Sequence, residues 1–290
     1  MGSSKDDSVV ILRKKKEHDE FKKYKYFEPE DNDLIVNNIC WKPNSPNESS
    51  ALLIACNDNT IRCWNLKDKN KIHCDWANFT VMDYAPKTQK MVAGLENGDV
   101  VLIDLKIKDM KEVLKKAIAT GDKKKEKEAD DYIKTNGKFE MVKMKTRHEK
   151  SVTCLAFSPD ENEVVTGSMD KTIRIWDLKD KKEIKNNNVG KEITRVAWCS
   201  ANTENKLIAY GSVDNTFYLW NTENETGLLF TKSMNASYIS MAFSQDGQKL
   251  YLSTSEKNIL IYSVSKLNLN NQNLLSSPNW EDQLAIERNA

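Results

Sequence analysis

The run GSMDKTIRIWDL at 167–178 constrains the fold more than anything else in the chain, because weaker copies of it recur along its length. Residues 57–66 read NDNTIRCWNL and 213–221 read VDNTFYLWN. Residues 96–105 (ENGDVVLIDL) and 256–264 (EKNILIYSV) keep the pattern, with Ile103 and Tyr262 where the best copy has Trp176. Trp176, Trp220 and Tyr262 recur at a spacing of about 40–45 residues. A chain with that period builds one small unit several times and must bury each copy against its neighbours.

The unit itself is a set of hairpin strands. SVTCLAFSP (151–159), EVVTGS (163–168) and TIRIWDL (172–178) are short runs rich in β-branched residues. Ser158-Pro159-Asp160 and Met169-Asp170-Lys171 separate them and read as turns. The other copies follow the same order, as in NNICWKP, ALLIAC, TIRCWN or ITRVAW, KLIAYG, TFYLW. A fourth, outer strand is expected after most of them, for example KIHCDW at 71–76 and LLFTKS at 228–233.

With these motifs the chain resembles the WD-repeat β-propeller family over roughly residues 34–265. The resemblance implies an all-β, WD-type β-propeller of five full blades, with a partial N-terminal blade over 1–33 and an Asn-rich tail at 266–290. It also implies a hydrogen-bonded tetrad inside a blade, whose roles fall on His148, Ser168, Asp170 and Trp176. Other blades keep parts of it: Ser212, Asp214 and Trp220 with Val189 in the His place, and Asn32, Cys56, Asp58 and Trp64 in the first. A Ser, His and Asp together invite comparison with a hydrolase triad. Here the Ser-x-Asp element recurs in the next blade, and a repeated element is architecture, since an active site is needed once.

Composition narrows the functional classes. The 290 residues carry 44 basic and 43 acidic side chains, a net charge of +1, so no global field draws nucleic acid or an anionic membrane. No apolar run reaches the roughly 18–20 residues a membrane helix needs, and residues 1–6 miss the myristoylation pattern at Asp6. The six cysteines (Cys40, Cys56, Cys63, Cys74, Cys154, Cys199) lie in or beside expected strands without a C-x-x-C pair, so they read as small buried hydrophobes rather than zinc ligands. That usage suits a reducing, cytoplasmic setting, with nuclear or cytoskeletal placement as alternatives. The three histidines are scattered, and no Gly-rich phosphate loop, H-E-x-x-H or G-x-S-x-G occurs. The expectation is a non-enzyme without metal or cofactor.

Two stretches interrupt the repeat. Between DVVLIDL and an expected strand KFEMVKM (138–144), residues 107–138 form a charged insertion. Met110, Val113, Leu114, Ala117 and Ile118 share one helical face, Gly121 ends that helix, and DKKKEKEADDYIK follows. At the N-terminus, Ser3–Arg13 aligns without gaps on Gly167–Asp177, so residues 9–12 are expected to pair with 22–28 as a hairpin. The chain would then open inside a blade, and the ring would be incomplete, by truncation or by completion from a partner. The alternative gives Tyr24–Glu28 to the 238–265 blade as its outer strand.

Function follows from the architecture as an expectation. A propeller presents many short loops on a rigid frame, and such loops are where recognition residues accumulate. The leading reading is a non-catalytic scaffold that binds other proteins on a propeller face including Asn59, Lys150, Lys171, Lys191 and Asn215, on the 107–138 insertion, or at an open blade edge. An RNA-associated or ribosome-biogenesis component, touching phosphates through the Lys-rich insertion, is the alternative. It is weakened by the lack of aromatic residues among those lysines. A cytoskeletal or ciliary WD-repeat protein is a further one.

Overall fold

The computed structural model describes residues 9–13, 22–27, 36–42, 51–56, 61–65, 69–72, 78–104, 118–121, 123–124, 140–199, 206–223, 228–233, 237–256 and 258–264. They fall into two compact units, Met1–Met82 with Ile107–Phe139, and Asp83–Lys106 with Glu140–Ala290. No helix among the described residues is long and apolar enough to cross a membrane.

In chain order, β1 (Val9–Arg13) and β2 (Lys22–Phe27) form a two-stranded antiparallel sheet. The register pairs Val9 with Phe27 and Arg13 with Lys22, with a bulge between Ile11 and Leu12. The first blade holds β3 (Val36–Lys42), β4 (Ala51–Cys56), β5 (Ile61–Asn65) and β6 (Lys69–Ile72) in sequential order. Its outer strand begins at Lys69, opposite Trp64, rather than at the expected residue 71.

The second blade holds β7 (Phe79–Ala85), β8 (Lys90–Leu95), β9 (Val100–Asp104) and β10 (Glu140–Lys143). β9 and β10 pair directly, Asp104 with Glu140 and Val101 with Lys143, although the insertion separates them in sequence. Within that insertion residues 118–120 and 123–124 are helical, and Gly121 (φ 68°) donates its N–H to the Ile118 carbonyl at 3.2 Å. That is a helix end closed by a left-handed glycine. Ile118, the last residue of the expected apolar stripe, is 57% exposed. Met110, Val113, Leu114 and Ala117 lie outside the described residues.

The third blade comprises β11 (Val152–Phe157), β12 (Glu163–Ser168), β13 (Thr172–Asp177) and β14 (Lys182–Asn188). The fourth comprises β15 (Ile193–Trp198), β16 (Leu207–Ser212), β17 (Thr216–Asn221) and β18 (Leu228–Ser233). The fifth has three strands among the described residues, β19 (Tyr238–Phe243), β20 (Lys249–Thr254) and β21 (Ile259–Ser263). The second strands of blades two to four are buried almost throughout: every residue of β16 is buried, in β12 only Glu163 is not, and in β8 only Lys90. Both faces of such a strand must be covered, and the neighbouring blades cover them. Cys154, Val165, Ile173 and Ile175 of blade three form one apolar cluster with Ile193, Ile208, Tyr210 and Trp220 of blade four. Ala209, Phe217 and Leu219 of blade four do the same with Met241, Leu252 and Tyr262 of blade five. Each fully buried Ile, Leu or Phe in these clusters contributes about 1.5–3 kcal/mol.

The turn between second and third strands repeats with its chemistry. The side-chain oxygen of Asn97, Asp170 or Asp214 accepts the N–H of the residue two further on, at 3.0, 2.9 and 3.2 Å. The residue between is left-handed each time: Gly98 (φ 87°), Lys171 (φ 70°) and Asn215 (φ 62°). Gly98 is also jammed against main chain, since a Cβ there would collide with the His148 carbonyl and lie 2.9 Å from the Lys150 oxygen. Gly98→Ala is therefore expected to cost about 2–4 kcal/mol in equilibrium denaturation, through positive φ and overpacking together. Lys171→Gly, at the equivalent left-handed but solvent-exposed position, should change stability by less than about 1 kcal/mol.

Candidate functional site

Blade three carries a chain of buried polar groups. The His148 ring is fully buried at the segment leading into β11, with Nδ1 2.9 Å from Asp170 Oδ2 and Nε2 2.7 Å from Thr166 Oγ1. Trp176 Nε1–H donates to the same Thr166 oxygen at 2.8 Å. An indole can only donate, so Thr166 accepts from Trp176 and turns its own hydrogen towards His148 Nε2. That arrangement sets a neutral imidazole whose Nδ1–H donates to Asp170. Burial, opposed by Asp170, holds the His148 pKa below its usual value, in keeping with the neutral ring. Asp170 also accepts the Glu149 N–H at 3.0 Å and the Thr172 hydroxyl at 2.6 Å, and Arg174 Nη2 lies 3.4 Å away.

The hydroxyl expected at Ser168 thus belongs to Thr166. Ser168 is two residues further along β12, a displacement of about 6–7 Å, and cannot reach between the rings. Its Oγ instead donates to the Lys150 carbonyl at 3.0 Å and accepts the Asp170 N–H at 3.0 Å, tying the turn to the segment before β11. Thr166, His148 and Ser168 each have 0% exposure, so no substrate can meet them. The group is a clamp across the blade.

Blade four fills the same positions differently. Val189 stands for His148, Tyr210 for Thr166, Tyr218 for Arg174 and Trp220 for Trp176. Tyr210 and Tyr218 stack at 4.8 Å with planes 12° apart, and Val189 packs on the cluster that holds Tyr210 and Trp220. Burial pushes the Tyr210 phenol up from its usual range. Asp214, without a histidine to hold, accepts the Ser212 hydroxyl at 2.5 Å and lies 3.7 Å from Lys191 Nζ. Of the remaining expected residues, Trp64 sits in β5 opposite Leu52, while Asp58 and Asn59 lie outside the described residues.

Lys150, Lys171 and Lys191 are exposed and Asn215 is half-buried. Backbone bonds bring their segments together: Met169 N–H donates to Ser151 O at 3.0 Å and Val213 N–H to Glu192 O at 3.0 Å. Met169 and Val213, absent from the sequence-based candidates, are 44% and 52% exposed on these turns. Their signal was present, as an apolar residue at the x of Ser-x-Asp in two consecutive copies. Among the described residues no group of three or more His, Cys, Asp or Glu is arranged to hold a metal ion.

At the opposite turns, Glu161 is buried at φ 60°, and its Oε2 accepts the Thr88 N–H at 2.8 Å and the Thr88 hydroxyl at 3.2 Å. Burial first, and then the Glu161 carboxylate, push the nearby Asp83 carboxyl up to about 6, against the backbone N–H of Tyr84.

Comparison with known proteins places this geometry. The model of the WD domain, G-beta repeat, matches residues 22–65 and 139–177. The WD repeat-containing protein 26 homolog of Drosophila melanogaster is 33% identical over 99 residues, 32% of this chain and 16% of that protein. The ribosome biogenesis protein WDR12 homolog of Drosophila virilis is 24% identical over 232 residues, 73% of this chain and 48% of that protein. The chain thus spans less than half the length of these curated relatives. In a crystal structure of the mitotic checkpoint complex, one chain superposes with a TM-score of 0.62 at 16% identity, over 82% of this chain and 64% of that one. The fold is a WD-type β-propeller. WD repeats match at residues 22–65 and 139–177, and these matches assign the chain to no subfamily.

Two outcomes test the polar groups. Thr166→Val keeps the shape but strands two buried partners, and should cost about 1–3 kcal/mol in denaturant titration, more than Ser168→Ala. Folded Asp83 holds its proton to a higher pH than the unfolded chain, where the ordinary value is 3.8. Its contribution to stability is therefore complete below about 3.8 and is lost as pH rises through about 6. Asp83→Asn should stabilise the protein by about 1–2 kcal/mol near pH 7.5, with the gain vanishing towards pH 4 in parallel denaturant titrations.

Proposed function

We propose that the chain is a non-catalytic scaffold, a subunit or adaptor in a larger assembly, that binds protein segments on the face carrying Lys150, Lys171, Lys191 and Asn215. One observation carries the reading. In three consecutive blades the turn residue after the Ser or Thr that ends the second strand is pinned by its N–H to the segment before the first strand: Met169 to Ser151, Val213 to Glu192 and Ser255 to Ser237, the last at 2.7 Å. Backbone held this way offers Met169 and Val213 as rigid apolar contacts ringed by lysines, and such preorganisation lowers the entropic cost of binding. The buried tetrad supports the non-catalytic side of the reading, because its His and hydroxyl groups are spent on one another.

The test is proximity labelling in cells with the full chain. A variant bearing Met169→Asp, Lys150→Glu and Lys171→Glu should lose its main protein neighbours, with enrichment falling about tenfold, while its thermal unfolding matches wild type. An unchanged set of neighbours would remove this face from the proposal.

A further inference from the structure

β14 is the outermost strand of its sheet, and the cations around it outnumber the anions available to them. Lys145, Arg147, Lys179 and Lys185 are exposed and Lys181 is half-buried. Lys145 N–H donates to Lys181 O at 2.9 Å and Arg174 Nη1 donates to Arg147 O at 2.9 Å, so residues 145–147 lie against the start of β14. The nearby carboxylates are occupied. Asp180 bridges Lys182 at 2.9 Å, Glu183 bridges Arg174 at 2.8 Å, and Asp177 accepts the Asp180 N–H at 2.6 Å. Lys145, Arg147, Lys179, Lys181 and Lys185 have no carboxylate partner among the described residues. Asp180 senses this gathering, its carboxyl held below the usual range by Lys182 first and by Lys179 and Lys145 after it.

The same strand offers backbone. Val189 N–H points inward to Lys171 O at 2.9 Å. Antiparallel alternation then turns the N–H and C=O of Asn186 and Asn188 outward, away from β13. Ile184, at the bulge in the pairing with β13, is 43% exposed.

We propose that this rim docks an acidic, extended protein segment, which adds to the outer edge of β14 as a further strand. The proposal rests on the scaffold reading in taking a protein as partner, but it uses a different surface. Charge complementarity selects the occupant: unpartnered cations flank a row of outward backbone groups and one exposed apolar side chain. A second copy of β14 would bring lysines against lysines, which is how edge lysines oppose self-pairing. Nucleic acid would use the cations but leave the edge N–H groups and Ile184 without a counterpart.

The test uses the full chain and fluorescence anisotropy with three labelled probes: a peptide of alternating Glu and Val, its Lys/Val counterpart, and an oligouridine of equal length. The Glu/Val peptide is expected to bind, and its affinity to fall about tenfold in Lys145→Glu/Lys179→Glu/Lys185→Glu. It should fall similarly between about 0.05 and 0.2 M salt, as exposed charges are screened. Asn186→Pro, which removes one outward donor and no charge, should also weaken it. Lys150→Glu/Lys171→Glu on the face should leave it unchanged. Absent binding, equal binding of the Lys/Val peptide, tighter binding of oligouridine, or indifference to the triple variant or to Asn186→Pro would each overturn the proposal. If the rim fails while the face variant still loses its neighbours in cells, the scaffold reading stands without it.

Discussion

A β-sheet whose second strand is apolar on both faces has no stable existence alone, and the rest of this architecture follows from that constraint. β12 and β16 leave almost no atom in contact with solvent. Each must therefore be sandwiched by the blade before and the blade after it. The approach is close enough that Gly167 has no room for a side chain: a Cβ there would meet the Ile193 side chain and lie 2.8 Å from Cys154 Sγ. Polar bonds mark the interfaces between blades: Arg195 Nε donates to Ile239 O at 2.6 Å between blades four and five, and the Thr153 hydroxyl lies 2.5 Å from Ile193 O between blades three and four. Lys206 reaches Glu163 at 2.6 Å across the same pair of blades. Apolar area drives the stacking, and these directional contacts fix its register.

The buried groups of blade three answer a second demand. Trp176 is fully buried and carries an N–H that must find an acceptor, and Thr166 supplies it. The Thr166 hydroxyl must in turn donate, which requires His148, and the imidazole N–H requires Asp170. Each member satisfies the polar group of the one before. Blade four makes the point by contrast. With Val189 in place of the histidine, the chain of polar demands is abandoned, and Tyr210 stacked on Tyr218 fills the volume instead. His148 has one further duty, because its backbone N–H donates to Gly98 O at 2.9 Å and so couples the clamp of blade three to the turn of blade two.

Much of this was legible in the sequence, for a physical reason: a repeated turn fixes the phase of everything between its copies. Asp170, Asp214 and Asn97 could be aligned because a side-chain oxygen that accepts the N–H two residues on has one job in each copy. The strands of the third and fourth blades followed from that phase, as did the pairing of β9 with β10 across the insertion. Thr166 was missed because two hydroxyl residues lie two apart on the same face of β12, and only their height along the strand decides which one meets Trp176. Tyr210 was missed because a degenerate position loses its motif while keeping its volume. The β14 rim escaped notice because lysine on an edge strand reads as ordinary solvation until the carboxylates around it are seen to be engaged.

The turns separate what the fold needs from what a partner can read. In Ser168-Met169-Asp170-Lys171 the Ser and Asp side chains bond back to the backbone, and the left-handed residue lets the chain reverse. Neither the residue after the Ser nor the left-handed residue contributes a side-chain bond to the turn. Across the copies those two positions hold Met169 and Lys171, Val213 and Asn215, Glu96 and Gly98. Their chemistry is unrelated from blade to blade although their backbone bonds are equivalent. At the solvent-exposed positions Met169, Lys171 and Val213 substitution changes the surface without moving the frame, whereas Gly98 is held to glycine by the main chain packed against it. A fold built of such units can vary the exposed side chains of its turns one blade at a time, and at β14 the strand's inward groups hold it to β13 while antiparallel alternation turns the others away from the sheet.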